Sequence, residues 1–382
     1  MKIVHICLCG CVTDGWSYQD NLLPKYQKRN GNDVTVIASK WIWNSEGKME
    51  ICHRDQYVNE DGVKMIRLNS LFHMRVEAKL KIYPGLIRTI EKESPDILFI
   101  HDLSFLQVNT ICDFLRRHRN VTAYCDNHGD FSNSARNWFS KNLLHKGIWK
   151  IGAQRIKKYV ERFYGVLPAR VDFLRDLYGL PEEKCELLVL AADDDLVEHA
   201  EEAEIIEKTR DRYQIEEKDF VIVTGGKIDM FKQQTLLLME AVNQTSDENM
   251  KLFVFGSVVD ELNMKLHQLC SNKVKYIGWL NNKETYELFA VADIAVFPGR
   301  HSVFWEQVVG QGIPIIVKRW AGTEHVDLGG NALFLDEDSV EEIRKKLSMA
   351  CENLENMRRA ARKNRELFLY SNIARESIEQ KW

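Results

Sequence analysis

Short apolar segments of β-type composition alternate with segments of helical periodicity along this 382-residue chain, and the alternation runs through twice. The first series holds KIVHICLC, DVTVIAS, VKMIRL, DILFIHD and VTAYCDN. Between them lie YQDNLLPKYQKRN, VEAKLKIYPGLIRTIEKE and QVNTICDFLRRH, with Pro84 expected to bend the second of these helices. A polar, acid-rich stretch follows, DDDLVEHAEEAEIIEKTRDRYQIEEKD, and the rhythm restarts with FVIVTGG, KLFVFGS, VKYIGW, IAVFPG and IPIIVK. Such βαβ alternation predicts an α/β protein with two doubly wound, Rossmann-like halves, each a mainly parallel sheet covered by helices on both faces. The expected domains are residues 1–190 and 191–365, with residues 366–382 packing back on the first half. Ligands of such sheets bind beyond the carboxyl ends of the strands, so the two halves are expected to line one cleft.

The formal net charge of −4 argues against a protein that reads nucleic acid through a broadly basic surface. The apolar start reads as a strand and lacks a small-residue cleavage site, so the expectation is a cytoplasmic protein, either free or peripheral at the inner face of the cytoplasmic membrane. No run of eighteen apolar residues suggests a spanning helix. Nine scattered cysteines suit buried thiols in a reducing compartment, and Cys7, Cys9 and Cys11 lack the paired spacing of a zinc site. The GxGxxG and P-loop spacings are both absent, which weakens a nicotinamide dehydrogenase or an ATPase.

Two stretches carry ligand chemistry. FVIVTGG ends in Gly225, Gly226 and Lys227, with Lys232 before the next apolar helix. Glycines let a ligand approach the backbone, and two lysines suit a diphosphate, although a turn before a solvated helix start explains the same residues. In FPGRHSVFWEQVVGQGIPIIVK, Glu306 stands among aromatic and β-branched residues, where it complements a helix dipole or accepts hydrogen bonds from a ligand.

The order of Gly226-Lys227, Lys232, Glu306 and GQGIPIIV resembles the family 4-like glycosyltransferases of GT-B architecture, of the bacterial surface-polysaccharide type. The resemblance spans both halves and is loose in the first. That family carries Gly-Arg-x4-Lys after the first strand of its second domain, and Glu-x7-Glu before a Gly-x-Pro strand. KCELLVLAADDDLV also resembles its interdomain segment, with Ala191 at the usual glycine and Asp193 at the usual aspartate. The resemblance implies that Lys227, at the family's arginine, and Lys232 hold the leaving nucleotide diphosphate, and that Glu306 accepts hydrogen bonds from the ribose. Pro298 stands where the first glutamate belongs, so His301, Ser302 or the backbone amides of Val303 and Phe304 are expected to meet the donor sugar.

In the first half, YCDNHGDFSNS offers His128 as the residue touching the hexose, as the family has a histidine after this strand. A metal site from Asp126, His128 and Asp130 is short of ligands, and no metal or other cofactor is expected. Gly10 and Cys11 are candidates to offer backbone N–H groups to phosphate at a helix start. Asp14, Trp16 and Tyr18 are candidates to face the acceptor, with Asp102 as a further base, although a loop packed by its own Trp16 fits equally. Residues 135–163 hold eight Lys or Arg against one Glu, interleaved with Trp138, Phe139, Leu143, Leu144, Ile148 and Trp149. This stretch suits an anionic membrane surface, or the solvated face of an ordinary helix pair.

The resulting expectation is a retaining, metal-independent hexosyltransferase using a UDP- or GDP-sugar and a carbohydrate acceptor, a lipid-linked oligosaccharide, in capsule, O-antigen or exopolysaccharide assembly. Its alternatives are a catalytically degraded partner protein that only binds nucleotide sugar, and a GT-B epimerase. No nucleic-acid partner is expected.

Overall fold

Runs such as FVIVTG and IAVF are apolar at nearly every position, which an isolated strand with one wet face does not need. They need it here because both faces of their sheet are covered. The computed structural model describes residues 1–44, 48–71, 81–131, 134, 138 and 140–379. It divides into one unit of Met1–Val189 with the chain from Ile373, and a second of Leu190–Asn372.

In the first unit the strands are β1 (Lys2–Cys7), β2 (Asp33–Ser39), β3 (Trp41–Trp43), β4 (Met49–Ile51), β5 (Gln56–Val58), β6 (Lys64–Leu68), β7 (Ile97–His101), β8 (Thr122–Asn127), β9 (Val160–Gly165) and β10 (Cys185–Leu187). Eight of them form one sheet in the order β10-β9-β8-β7-β1-β2-β6-β5, parallel except for β5. The second unit has β11 (Phe220–Gly225), β12 (Met250–Phe255), β13 (Val274–Gly278), β14 (Ile294–Phe297), β15 (Ile315–Lys318) and β16 (Ala332–Leu335), all parallel in the order β13-β12-β11-β14-β15-β16. Each order reverses direction beside its first strand, β1 against β7 and β11 against β14. That reversal opens a crevice at the carboxyl ends of the two strands.

Helices close both sheets with their apolar stripes. Leu236, Met239 and Val242 of helix Gln234–Asn243 pack with Ile343 and Leu347 of helix Val340–Glu352 against Ile222, Leu252 and Val254. Local signals set several helix starts. Asn281 and Glu284 form a reciprocal capping box, and the Ser339 side chain accepts from the Glu342 amide.

The structure corrects one expectation. Pro84 does not bend a continuous helix, because the chain turns at Pro84-Gly85 and the helix begins only at Leu86, with Gly85 at φ 87°. Proline disfavours helical geometry in the residue before it, so it acts here as a boundary; residues 76–80 lie outside the described residues. The acid-rich stretch folds into helices Asp194–Ala200 and Ala203–Tyr213, the first capped by Asp193 accepting from the Asp195 amide. The C-terminal segment packs in the first unit, where Gln27 Nε2 donates to the buried Ser377 Oγ and Tyr124 donates to the Ile378 carbonyl.

Two glycines keep the β11 crevice open. Gly226 at φ 117° and Gly256 at φ 116° lie against each other, and a Cβ on Gly256 would stand 2.0 Å from the Gly226 carbonyl oxygen. Gly256→Ala therefore combines left-handed strain with a backbone clash that no rotamer relieves. It should destabilise the protein by on the order of 3 kcal/mol or more, read as a lower urea midpoint at unchanged slope.

Candidate functional site

The loop after β11 is built by one aspartate. The Asp229 carboxylate accepts from the Phe231 amide at 2.9 Å, its carbonyl accepts from the Lys232 amide at 2.9 Å, and its side chain lies 3.8 Å from Lys227 Nζ. The loop after β14 meets it. A Cβ on Gly299 would lie 3.5 Å from Lys232 Cα, and one on Gly226 would lie 3.9 Å from Ser302 Oγ. Gly226, Lys232 and Ser302 are thereby brought together at the switch point of the second sheet.

Lys232 is the unusual cation in this group. Among the described residues its side chain makes no hydrogen bond or ion pair. Burial lowers the pKa of its ammonium, which Asp229 raises and Arg300 lowers further. Arg300, which the sequence reading passed over, lays its guanidinium on the Phe231 ring at 4.8 Å. Lys227 stays exposed. A half-buried ammonium without an acceptor, beside a guanidinium, is poised for an anion brought in by a ligand.

Glu306 sits deeper, on helix Phe304–Gly310, and is wholly buried. Its Oε1 accepts from His301 Nε2 at 2.8 Å and from His325 Nε2 at 2.9 Å. Burial pushes this carboxyl up, but the His301 imidazole and the two hydrogen bonds outweigh it and hold the pKa at about 2. His325 was not found in the sequence. It comes from the loop after β15, where Thr323 and Trp320 bond each other and lead into a single turn at Glu324–Val326. Of the remaining predicted donor residues, Val303 is exposed, and Phe304 packs edge-on against Phe255 at 5.2 Å.

A second buried carboxylate stands at the carboxyl edge of the first sheet. Asp126 Oδ2 lies 2.7 Å from His101 Nδ1 and 3.4 Å from His128 Nε2, and accepts from Gln19 at 3.2 Å. Behind His101 runs a directed chain. Ser377 gives its proton to the Ala374 carbonyl, so it accepts from Gln27, whose Oε1 then accepts from His5 Nε2 at 2.7 Å. His5 is held neutral with a pKa of about 3, by burial first and by His101 second. Its one proton is therefore on Nε2, and its Nδ1 accepts from His101 Nε2 at 2.9 Å. His101 Nδ1 faces Asp126 and also Asp20 at 3.1 Å. Burial alone would lower the His101 pKa, but Asp126 above all holds it well raised, so His101 is an imidazolium.

Cys7, Asp20 and His101, then His101, Asp126 and His128, and then His301, Glu306 and His325 each place three potential ligand atoms within 4.8 Å. His301 Nε2 and His325 Nε2 each lie within hydrogen-bond distance of Glu306 Oε1, and His101 Nδ1 lies 2.7 Å from Asp126 Oδ2. Asp130, the third member of the set judged short of ligands from sequence, pairs with Arg170 at 3.2 Å.

The other candidates of the first unit have structural duties. Asp14 accepts from Tyr57 at 2.7 Å and pairs with Arg54 at 3.1 Å and Arg67 at 3.4 Å, so it is not a free carboxylate facing an acceptor. Asp102, at φ 69°, accepts from the Leu103 and Ser104 amides and so shapes its own turn. Gly10 and Cys11 do not stand at a helix start, because the next helix begins at Gln19. Trp16 and Tyr18 pair with each other at 5.5 Å, with Tyr18 exposed. Part of the basic stretch, including Phe139, lies outside the described residues. In the rest, Trp138 is 77% exposed, Leu143, Ile148 and Ile151 are also exposed, and Trp149 is buried.

Comparison with known proteins agrees with this geometry. Residues 219–353 match the family Glycosyl transferases group 1. The solved structures below share the GT-B fold with this chain, and it is the greater part of its second unit that resembles the group 1 glycosyltransferases. A glycosyltransferase from Rickettsia africae superposes with a TM-score of 0.68 at 14% identity, over 98% of this chain and 96% of that one. HepE from Anabaena, solved with UDP and glucose, gives 0.67 at 14% identity, over 98% of each chain. WaaG, a glycosyltransferase involved in lipopolysaccharide biosynthesis, gives 0.67 at 13% identity, over 99% of this chain and all of that one. The UDP-GlcNAc 2-epimerase of Neisseria meningitidis shares the fold at 0.63 and 12% identity, over 98% of each chain. No curated protein sequence matches the chain.

The depressed pKa of Glu306 has a sign that can be measured. Its stabilising contribution is complete above the ordinary carboxyl value of 4.5 and is lost as pH falls through the folded value of about 2. The difference in unfolding free energy between wild type and Glu306→Gln should be flat above about pH 5 and shrink steadily below it. A difference that does not change with pH would mean that the two histidines do not hold the carboxylate.

Proposed function

We propose that this protein is a retaining glycosyltransferase that moves a hexose from a nucleotide-diphosphate sugar to a carbohydrate acceptor. The observation that carries the reading is Lys232, an ammonium without a protein partner, half-buried at the switch point beside Gly226 and near Arg300. Departure of the sugar leaves the nucleotide diphosphate with more negative charge than it carried in the donor. Cations fixed where that charge develops, in a partly dry site, stabilise the transition state more than the ground state. Lys227, Lys232 and Arg300 supply this neutralisation in our reading, without a resident metal. The position of Lys227 fits a point contact, since an ammonium lacks the two-pronged grip of a guanidinium. HepE, solved with UDP and glucose in the same fold, supports a nucleotide-sugar donor.

Within the first unit the reading assigns His128 to the hexose. Asp126 raises the His128 pKa against the lowering effect of burial, so this ring is a ready donor to a sugar oxygen. The acceptor in our reading is lipid-linked, as in the assembly of surface polysaccharide. Support comes from the exposed Trp138, Leu143, Ile148 and Ile151 interleaved with Lys146 and Lys150. No helix among the described residues is long and apolar enough to cross a membrane.

A thermal-shift panel of UDP-, GDP-, ADP- and CMP-sugars, followed by release of nucleotide diphosphate from the donor that binds, tests the activity. Lys232→Ala should weaken nucleoside diphosphate binding by about tenfold to a hundredfold and leave the nucleoside nearly unaffected, as calorimetry at low salt would show. Equal losses for both ligands would remove Lys232 from the phosphate site.

The acceptor reading has its own test. Wild type should float with vesicles containing anionic lipid and detach as salt rises through physiological strength, where the Debye length is about 8 Å. Trp138→Ala combined with Lys146→Gln and Lys150→Gln should abolish flotation with no change in nucleotide affinity. Wild type that ignores such vesicles at low salt would point to a soluble acceptor.

A further inference from the structure

The Glu306 carboxylate cannot meet a donor as the structure stands. The residue is fully buried, its Oε1 is taken by two histidines, and its Oε2 is sealed from solvent with no partner. The two histidines differ in what they leave open. His325 has a side chain 5% exposed and an Nδ1 that is buried without a partner. The His301 side chain is 15% exposed, and among the described residues its Nδ1 has no protein partner. That nitrogen is also absent from the sealed, unpartnered atoms. A carboxylate only accepts, so each Nε2 that faces it carries a proton. When the His301 ring carries only that proton, its Nδ1 is a hydrogen-bond acceptor. Trp305 supports the ring edge-on at 5.1 Å, and the neighbouring Ser302 lies at Gly226 on the crevice.

Resting on the glycosyltransferase reading above, we infer that Glu306 serves the donor through His301. It fixes His301 in the Nε2–H tautomer, so that Nδ1 accepts the proton of a donor ring hydroxyl, and His325 braces the carboxylate from the other side. Glu306 and His325 are then positioning residues, and His301 is the group that touches the ligand. This differs from a direct carboxylate clamp on the ribose, the role implied by resemblance alone. It also accounts for a carboxylate kept charged in a closed pocket. Two N–H donors satisfy one oxygen, and the energy of that arrangement is used to orient a ring.

A double-mutant cycle on the affinity of the bound nucleotide sugar, read by calorimetry, separates the two roles. His301→Ala should weaken binding by on the order of tenfold, and His301→Gln, which can donate to Glu306 and still offer a carbonyl oxygen, should recover part of it. Glu306→Gln should weaken binding several-fold in the wild-type background and by no more than about 1.5-fold when His301 is already alanine. His325→Ala should show the same background dependence, and provides the cycle if Glu306→Gln does not fold by circular dichroism. Comparing nucleoside diphosphate with nucleotide sugar locates the hydroxyl. A loss in both ligands places it on the ribose, and a loss in the sugar alone places it on the hexose; either supports the inference.

Independent, multiplying losses for Glu306 and His301 would overturn the inference and restore the direct clamp. Nitrogen-15 NMR of histidine-labelled wild type gives a check without mutation. An Nδ1–H tautomer at His301 would overturn the inference, and so would stoichiometric zinc in the purified protein held by these Nε2 atoms. Wild type that binds no nucleotide or nucleotide sugar would defeat the proposed function and the inference together. Binding with multiplying losses defeats the inference alone.

Discussion

Parallel strands all end on one edge of their sheet, so every loop that leaves them is delivered to the same side, and the site depends on that constraint. The loops after β11, β14 and β15 contribute Lys232, Arg300 with His301, and His325 respectively. These residues are far apart in sequence, yet the order β11-β14-β15 sets their strands side by side. A parallel sheet also costs something. Its central strands are covered on both faces, so any charge at their ends must be satisfied by protein or by ligand.

The two units meet that requirement in similar ways. Each has one buried carboxylate at or near the switch point, Asp126 in the first and Glu306 in the second, and each is held by histidines. The difference lies in what stands behind. His101 is backed by His5, Gln27 and Ser377 in a chain whose donor direction is fixed end to end, so its charge state follows from the network. Among the described residues no such chain stands behind His325, whose Nδ1 is buried without a partner and whose ring lies 6.2 Å from that of Phe368.

The parts that were legible in sequence are those that repeat or that have one dominant cause. Continuous apolar runs announced the central strands, because only burial on both faces calls for them. Gly226 was legible as a backbone position because the strand ends in a glycine pair, and the structure places it at φ 117°. What escaped was set by tertiary partners. Asp14 looked like an acceptor-facing carboxylate until Arg54, Tyr57 and Arg67 arrived from strands or loops about forty or more residues away. Short edge strands such as β10, with only three residues, carry too little pattern to register. His325 was invisible because nothing beside it in sequence refers to Glu306. The one available signal was an unexplained buried charge, which implies unseen donors.

That signal bears on Pro298. Losing the first carboxylate of the pair removes a charge that would otherwise stand near the donor sugar. Keeping Glu306 fully buried under two imidazoles withdraws the second as well. The crevice of the second unit is then lined by Lys227, Lys232 and Arg300, with Ser302 as a neutral acceptor and no exposed acid of that pair. A site of this charge holds a diphosphate more tightly than one that keeps two carboxylates, because fewer like charges oppose the ligand. It also grips sugar hydroxyls less strongly, since neutral acceptors form weaker hydrogen bonds than ionised ones. For a ligand that carries both groups, the balance shifts recognition from sugar hydroxyls toward phosphates.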